Sequence, residues 1–270
     1  MDRVEQAWDA HRRRVFDVAY RMLGSVADAD DVVQETYLRL TRVGADTVDD
    51  LEAWLVTVAG RVCLDRLRSA ATTRAAYVGP WLPEPLVDAA PEDRVTLDET
   101  VRMALLVVLD QLSPAERTSF ILHDVFGLPF DEVADVVGRT PAACRQLASR
   151  ARRRIEADAA ASRPAPTRDD LERVAHRFAA ACRTGRVEDL VAVLDPAASG
   201  EFDSGGAVPG AARTRIQGGD RLAKRLSRAF GSVGAGVGFA VADVNGEPGV
   251  VATAPDGHVL AVMALASDGD

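Results

Sequence analysis

Through the first 70 residues apolar side chains return every three or four positions, the pattern of amphipathic helices. Trp8, Val15, Phe16, Ala19, Met22 and Leu23 mark one helix, which Gly24-Ser25 ends. Asp28, Asp30 and Asp31 open the next, where the helix dipole favours carboxylates, and Val32, Val33, Thr36, Tyr37 and Leu40 supply its inner face. Its outer face carries Asp31, Gln34, Glu35 and Leu38. Capping explains one or two of those acids, whereas an acidic and amide stripe with one apolar member suits a protein docking face. A third helix is predicted over residues 50–69, with Trp54, Leu55, Val58, Ala59, Val62 and Leu67 inward. Thr57, Arg61, Asp65, Arg66 and Arg68 lie outside that seam or at its edge, and Arg61 and Asp65 are spaced for an i,i+4 ion pair.

The same period returns in residues 113–155, which predict three short helices closing on a helix-turn-helix. Ser113, Pro114 and Glu116 combine an N-cap, a first-turn proline and a capping box. Phe120, Ile121 and Val125 continue that helix until Gly127-Leu128-Pro129 breaks it. Val133, Ala134, Val136 and Val137 are the inward stripe of the scaffold helix, and Gly138 supplies the left-handed residue of the turn. Thr140 caps and Pro141 opens the last helix. Its expected seam is Ala143, Leu147, Ala151 and Ile155, leaving Ala142, Arg145, Gln146, Ser149, Arg150 and Arg153 outward. Between Arg139 and Ile155 stand six arginines and no acid, although the chain's net charge is −9. Such a local basic face, behind a capped turn, fits a major groove better than it fits an idle solvated surface.

Periodicity fails over residues 71–98. Trp81, Leu82, Pro83, Glu84, Pro85 and Leu86 form a proline-stiffened apolar stretch, and exposed together its large side chains require a surface to dock on. Residues 157–166, small and proline-rich, read as a second linker. Beyond it, helices are predicted at 169–183, 187–194 and around 220–230. Alternating strands then follow at 237–244, 250–253 and 259–265, joined by the turn 245–249 (Asn245, Gly246, Glu247, Pro248, Gly249) and by Pro255-Asp256-Gly257. Helices followed by an antiparallel sheet make an α+β layer.

Composition narrows the function. The chain is 270 residues long and 47% hydrophobic, enough for several small domains, and its acidic total excludes indiscriminate coating of nucleic acid. No segment reads as a membrane span or signal peptide, so a cytoplasmic location is expected. Cys63, Cys144 and Cys182 are an odd, scattered set, and His11, His123, His176 and His258 stand alone; neither a metal site, a cofactor site nor a disulfide framework is indicated. Asp203, placed in a loop spanning 200–206, Asp243 and His258 are the acid–base candidates of the last domain, and none has a partner at telling spacing.

Taken in order, D-A-D-D-V-V-Q-E-T-Y-L-R-L, E-A-W-L followed by C-L-D-R-L-R-S, and L-S-P-A-E-R leading to F-G-L-P-F-D-E-V-A and the basic helix resemble the extracytoplasmic-function (ECF) sigma factors. The resemblance covers residues 5–156 in two blocks. It implies region 2 (1–70), region 4 (100–156), an intervening linker (71–99), a second linker (157–167) and a C-terminal domain (168–270). That last domain is similar to the SnoaL-like cone fold of one ECF branch, with which WLPEPL and NGEPG agree, although the family's domain usually runs on through a further strand. The fold expected is therefore two all-α domains followed by an α+β cone domain.

The resemblance implies that Asp30, Asp31, Gln34, Glu35 and Leu38 dock on core RNA polymerase. It assigns Trp54, Thr57, Arg61, Asp65, Arg66 and Arg68 to the −10 promoter element, with Arg61 standing where many relatives carry Asn. Thr140, Ala142, Arg145, Gln146, Ser149, Arg150 and Arg153 fall to the −35 element. Residues 81–86 together with Asn245, Gly246, Pro248 and Gly249 form the expected intramolecular regulatory contact between the C-terminal domain and the sigma core. The expected partners are core polymerase and promoter DNA, with no membrane and no catalysis; a cone-fold enzyme fused to a DNA-binding module, or a one-component helix-turn-helix regulator, are the alternatives. The acidic stripe and the −10 block argue against both.

Overall fold

The computed structural model describes residues 3–73, 82–87, 102–160, 166–204, 213–231 and 236–267. The chain divides into two compact units, one made of residues 1–77 and 104–161, the other of 78–103 and 162–270.

The first unit is helical: α1 (Arg3–Leu23), α2 (Val26–Val43), α3 (Leu51–Thr73), α4 (Met103–Asp110), α5 (Pro114–Phe120), α6 (Phe130–Val137) and α7 (Pro141–Ala160). Ser25 and Ser113 cap α2 and α5, the latter with the full reciprocal box to Glu116. Helix α1 packs on α2 and α3, α5 packs on α7, and α3 packs on α5 and α6, so the two sequence blocks share one core. Val15, Val18, Ala19, Tyr20 and Met22 of α1 are buried, as are Leu55, Ala59 and Leu64 of α3. Gly60 sits where α3 crosses close to Leu122; an added Cβ would meet the Leu122 Cδ1 atom at 3.0 Å.

In the helices that follow Ser113, two local expectations differ from the structure. The helix begun at Ser113 gives way to a π-helical turn, Ile121–Val125, closed by the Phe126 N–H donating to the Ile121 carbonyl at 3.1 Å. That widened turn lets the His123 Nδ1 donate to the Leu128 carbonyl at 2.8 Å, steering the chain into α6. In α7 the buried seam is Cys144, Ala148 and Ala151, while Ala143, Leu147 and Ile155 are only half-buried. A strict four-residue repeat drifts around a helix of 3.6 residues per turn, so spacings of four and then three hold one face better.

In the second unit α8 (Arg168–Thr184), α9 (Val187–Val191) and α10 (Gly219–Gly231) accompany two antiparallel sheets. One is β1 (Ser199–Phe202) with β2 (Thr214–Gln217); the other is β3 (Gly238–Val244), β4 (Glu247–Thr253) and β5 (Val259–Met263) in that order. Helix α8 lies against β3 and β4, and Phe178, Cys182, Leu190, Leu222, Leu226, Phe239 and Val250 form the core. The turn between β3 and β4 is Asn245-Gly246 alone, both residues at positive φ; Glu247, Pro248 and Gly249 already belong to β4 rather than to the turn. Gly249 is required there, because a Cβ would come within 2.6 Å of Val244 Cγ2 and 2.7 Å of the Met263 carbonyl oxygen. Strand β1 takes Gly200 to Phe202 out of the expected loop, leaving Asp203 just past the strand end.

Candidate functional site

Helix α7 presents the basic face. Thr140, Ala142, Arg145, Gln146, Arg150 and Arg153 are exposed and Ser149 is half-buried. The six arginines of this stretch divide by role. Arg152 is tied to Asp124 at 2.6 Å and Arg154 donates to the Gln111 side chain at 3.3 Å, so both brace the helix within its own block. Arg145 lies over the Phe130 ring, 5.5 Å from its centroid, and Phe130 stacks on His123 with centroids 3.7 Å apart. A cationic fork resting on an aromatic face keeps its charge while losing rotamer freedom, which suits contact with base edges or phosphates.

Helix α3 carries the second set. Arg61 and Asp65 are exposed, Trp54, Thr57 and Arg66 are half-buried, and no ion pair joins Arg61 to Asp65 among the described residues. Ion pairing falls on Arg66 instead. Its Nη1 lies 3.4 Å from Asp28 and 3.2 Å from Asp31, and its Nη2 lies 3.9 Å from Glu35. Arg68 donates to the Val137 carbonyl of α6 at 2.9 Å. A lone carbonyl 69 residues away leaves no trace in a local pattern, so neither contact was legible in the sequence.

On α2, Asp30, Asp31 and Gln34 are exposed, and Leu38 keeps 53% of its surface in water, a large apolar side chain held outside the core. Glu35 also accepts from Arg39 at 2.7 Å. Between α1, α4 and α5 the buried Arg117 guanidinium donates to the Met22 carbonyl at 2.9 Å and to Asp110 at 3.0 Å. Arg21 of α1 lies over the Phe126 ring, 5.6 Å from its centroid. These contacts hold the two blocks of the first unit together.

In the second unit the stretch 82–87 lies on the C-terminal fold. The Leu86 N–H donates to Asn245 Oδ1 at 2.9 Å, and the Asn245 N–H donates back to the Leu86 carbonyl at 2.8 Å. Val87 forms a β-bridge with Val244, the Leu82 N–H donates to Asp203, and Arg102 pairs with Glu247 at 3.1 Å. Pro83 is buried, Leu82, Pro85 and Leu86 are half-buried and Glu84 is exposed. Trp81 lies outside the described residues. Gly246 accepts from Arg168 Nη1 at 2.8 Å, and Pro248 is buried opposite Asp243 in the β3–β4 register.

The acid–base candidates have different surroundings. Asp243 is buried and held by Arg168 at 2.8 Å, Asp203 accepts from the linker, and His258 stands in an outer turn with 86% of its side chain exposed. Burial pushes all three thiols up, Cys182 to about 12, as befits small apolar core residues. No helix among the described residues is long and apolar enough to cross a membrane.

With this geometry in hand, comparisons with known proteins are specific. The family description Sigma-70 region 2 matches residues 7–73, and Sigma-70, region 4 matches residues 102–155. The chain is 43% identical over 251 residues to the ECF RNA polymerase sigma factor SigJ of Mycobacterium tuberculosis (strain ATCC 25618 / H37Rv), covering 90% of this chain and 78% of that protein. It is also 43% identical over 209 residues to the probable ECF RNA polymerase sigma factor SigI of the same strain, covering 75% of this chain and 71% of that one. The crystal structure of Mycobacterium tuberculosis SigJ superposes with a TM-score of 0.69 at 37% identity, over 92% of this chain and 84% of that chain.

Proposed function

Because the chain belongs to the ECF RNA polymerase sigma factors, which direct core polymerase to promoters for transcription initiation, we propose a division of that work among its elements and a control exerted by its C-terminal unit. Helix α7 reads the −35 element through Arg145, Gln146, Ser149, Arg150 and Arg153, with Thr140 and Ala142 at its leading end. Helix α3 serves the −10 element through Trp54, Thr57, Arg61, Asp65, Arg66 and Arg68. The stripe of Asp30, Asp31, Gln34, Glu35 and Leu38 on α2 docks on core polymerase, whose contact would cover the exposed Leu38.

The C-terminal unit, a SnoaL-like domain in this reading, acts in cis. The observation that carries this is the two-way hydrogen bonding between Leu86 and Asn245, with Val87 bridged to Val244. It ties part of the connection between the two sigma blocks to the C-terminal fold. A chain segment spans at most about 3.3–3.6 Å per residue, so fixing residues in the middle of a linker shortens the reach available to its ends. The first unit holds regions 2 and 4 together through Arg117, Arg68 and the Gly60–Leu122 approach. Engaging two promoter elements at once requires those blocks to separate, and a tethered linker resists that separation.

The test is in vitro transcription with core polymerase, comparing the full chain with Trp81→Ala, Asn245→Gly and a chain ending near residue 160. Altered promoter output with unchanged affinity of region 4 for DNA supports the reading. Unchanged output, together with indistinguishable label distances between regions 2 and 4, refutes it.

A further inference from the structure

Arg66 joins two surfaces that the proposed function keeps separate. It stands on the helix assigned to the −10 element, yet its guanidinium is spread across Asp28, Asp31 and Glu35 of α2, at 3.4, 3.2 and 3.9 Å. These three acids recur at spacings of three and four on one face of α2, so a planar fork rising from α3 meets them together. Two of them, Asp31 and Glu35, belong to the docking stripe. Both carboxylates are open to a partner, with 61% and 42% of their side chains exposed, whereas Arg66 keeps 32%. A cation surrounded by three carboxylates is a poor ligand for a phosphate, and carboxylates neutralised by an internal cation are weaker ligands for a basic protein surface.

We propose that Arg66 couples polymerase docking to −10 DNA binding: it is held by Asp31 and Glu35 in the free chain and passes to a DNA phosphate when a basic surface of core polymerase takes those carboxylates. The proposal rests on the reading of α2 as the docking face. It makes each event favour the other. Polymerase frees the arginine for DNA, and DNA, by drawing the arginine away, frees the acids for polymerase, as reciprocal linkage requires. The free subunit is thereby kept off nucleic acid by a local charge arrangement, beyond the contribution of its net charge of −9. Asp30, the neighbouring exposed acid, takes no part in the Arg66 cluster and supplies a control of equal charge.

The experiment has two arms, both with the full chain. The first uses no polymerase and titrates fluorescent single-stranded dT20 across a salt series with wild type, Asp31→Asn, Asp30→Asn, Arg66→Gln and the Asp31→Asn/Arg66→Gln double variant. Exposed pairs are individually weak, so Asp31→Asn is expected to tighten binding about threefold. It should also steepen the log–log salt dependence by about 0.7, the signature of one added phosphate contact on a single strand. Both changes should vanish in the Arg66→Gln background, and Asp30→Asn should give neither. Equal gains from Asp30→Asn, or a gain that persists without Arg66, overturn the coupling and leave only long-range charge.

The second arm measures affinity for core polymerase. Arg66→Gln should raise it about two- to threefold by releasing the acids, and Arg66→Lys should fall between, since a single ammonium cannot span three carboxylates. Unchanged or reduced affinity for Arg66→Gln, with normal helicity, refutes the competition. Asp31→Arg tests the docking face itself: normal polymerase binding by that variant removes the underlying reading, whatever the first arm shows.

Discussion

Replacing Asn245 tests the linker contact at its side-chain end. Asn245 is 1% exposed and is the non-glycine residue at positive φ among the described residues, with φ 52°. Its side chain accepts the Leu86 N–H while its backbone holds the Leu86 carbonyl. Asn245→Gly keeps the left-handed turn and removes the side-chain amide, with it the acceptor of the Leu86 N–H; leaving a partly buried N–H without its partner costs about 1–2 kcal/mol. Asn245→Ala removes the same amide but keeps a Cβ at positive φ without the polar side chain that lets asparagine tolerate that region, so its extra cost falls on the β3–β4 turn itself. The opening equilibrium of the stretch around Leu86 should therefore rise about tenfold in either variant, since 1.4 kcal/mol is a factor of ten, while alanine alone should also loosen the turn. Hydrogen exchange of the peptide containing residues 82–87, followed by mass spectrometry, reads this directly. Wild-type protection of the Leu86 amide in Asn245→Gly, in a protein whose α8 and β4 peptides remain protected, would show that the side-chain acceptor does not hold the linker.

Further outcomes follow from other elements. Arg145→Ala should weaken specific promoter binding by holoenzyme by about 1–3 kcal/mol in footprinting, and Phe130→Leu should reproduce part of that loss by removing the aromatic face beneath the guanidinium; no change for any variant at Arg145, Gln146, Ser149 or Arg150 would refute the assignment of α7. Arg117→Met leaves Asp110 and the Met22 carbonyl without their cation and should destabilise the first unit by about 3–5 kcal/mol, seen in urea unfolding followed by Trp8 and Trp54 fluorescence. The folded-state pKa of Cys182 lies above its unfolded value, so its contribution to stability is present at neutral pH and declines as pH rises from about 8.5 toward the folded value. Native protein should accordingly resist thiol alkylation at pH 7.5 and label only on unfolding; rapid native labelling of Cys182 would contradict its burial.

What the sequence determined by itself is local. The Ser113 box with Glu116, the left-handed cap at Gly138 and the Asn245-Gly246 turn each depend on a few consecutive residues, and each appears where the residue types demand it. Helix periodicity likewise marked α1, α2, α3, α6 and α8, because one buried face imposes a repeat on the chain. Strands β1 and β2 escaped it: four residues each, mostly exposed or half-buried and rich in polar side chains, they carry no alternation and exist through pairing with one another and packing beside α10. Of the expected α7 seam only Ala151 is fully buried, because small residues flank it on both sides and packing against α5 and α6 selects Cys144 and Ala148 beside it.

Tertiary structure alone decided which polar groups meet. Arg117 with Met22, Arg68 with Val137, Arg66 with the α2 acids and Leu86 with Asn245 are separated by 95, 69, 31 to 38 and 159 residues. In every one of these pairs the groups are ordinary in sequence: an arginine among many, a backbone carbonyl, an asparagine in a turn. For the buried Arg117 and Asn245 the meaning comes from desolvation on folding, which makes an unmatched donor or charge costly; that constraint, and the proximity that brings the more exposed Arg66 to the α2 acids, act through space and leave no periodic mark along the chain.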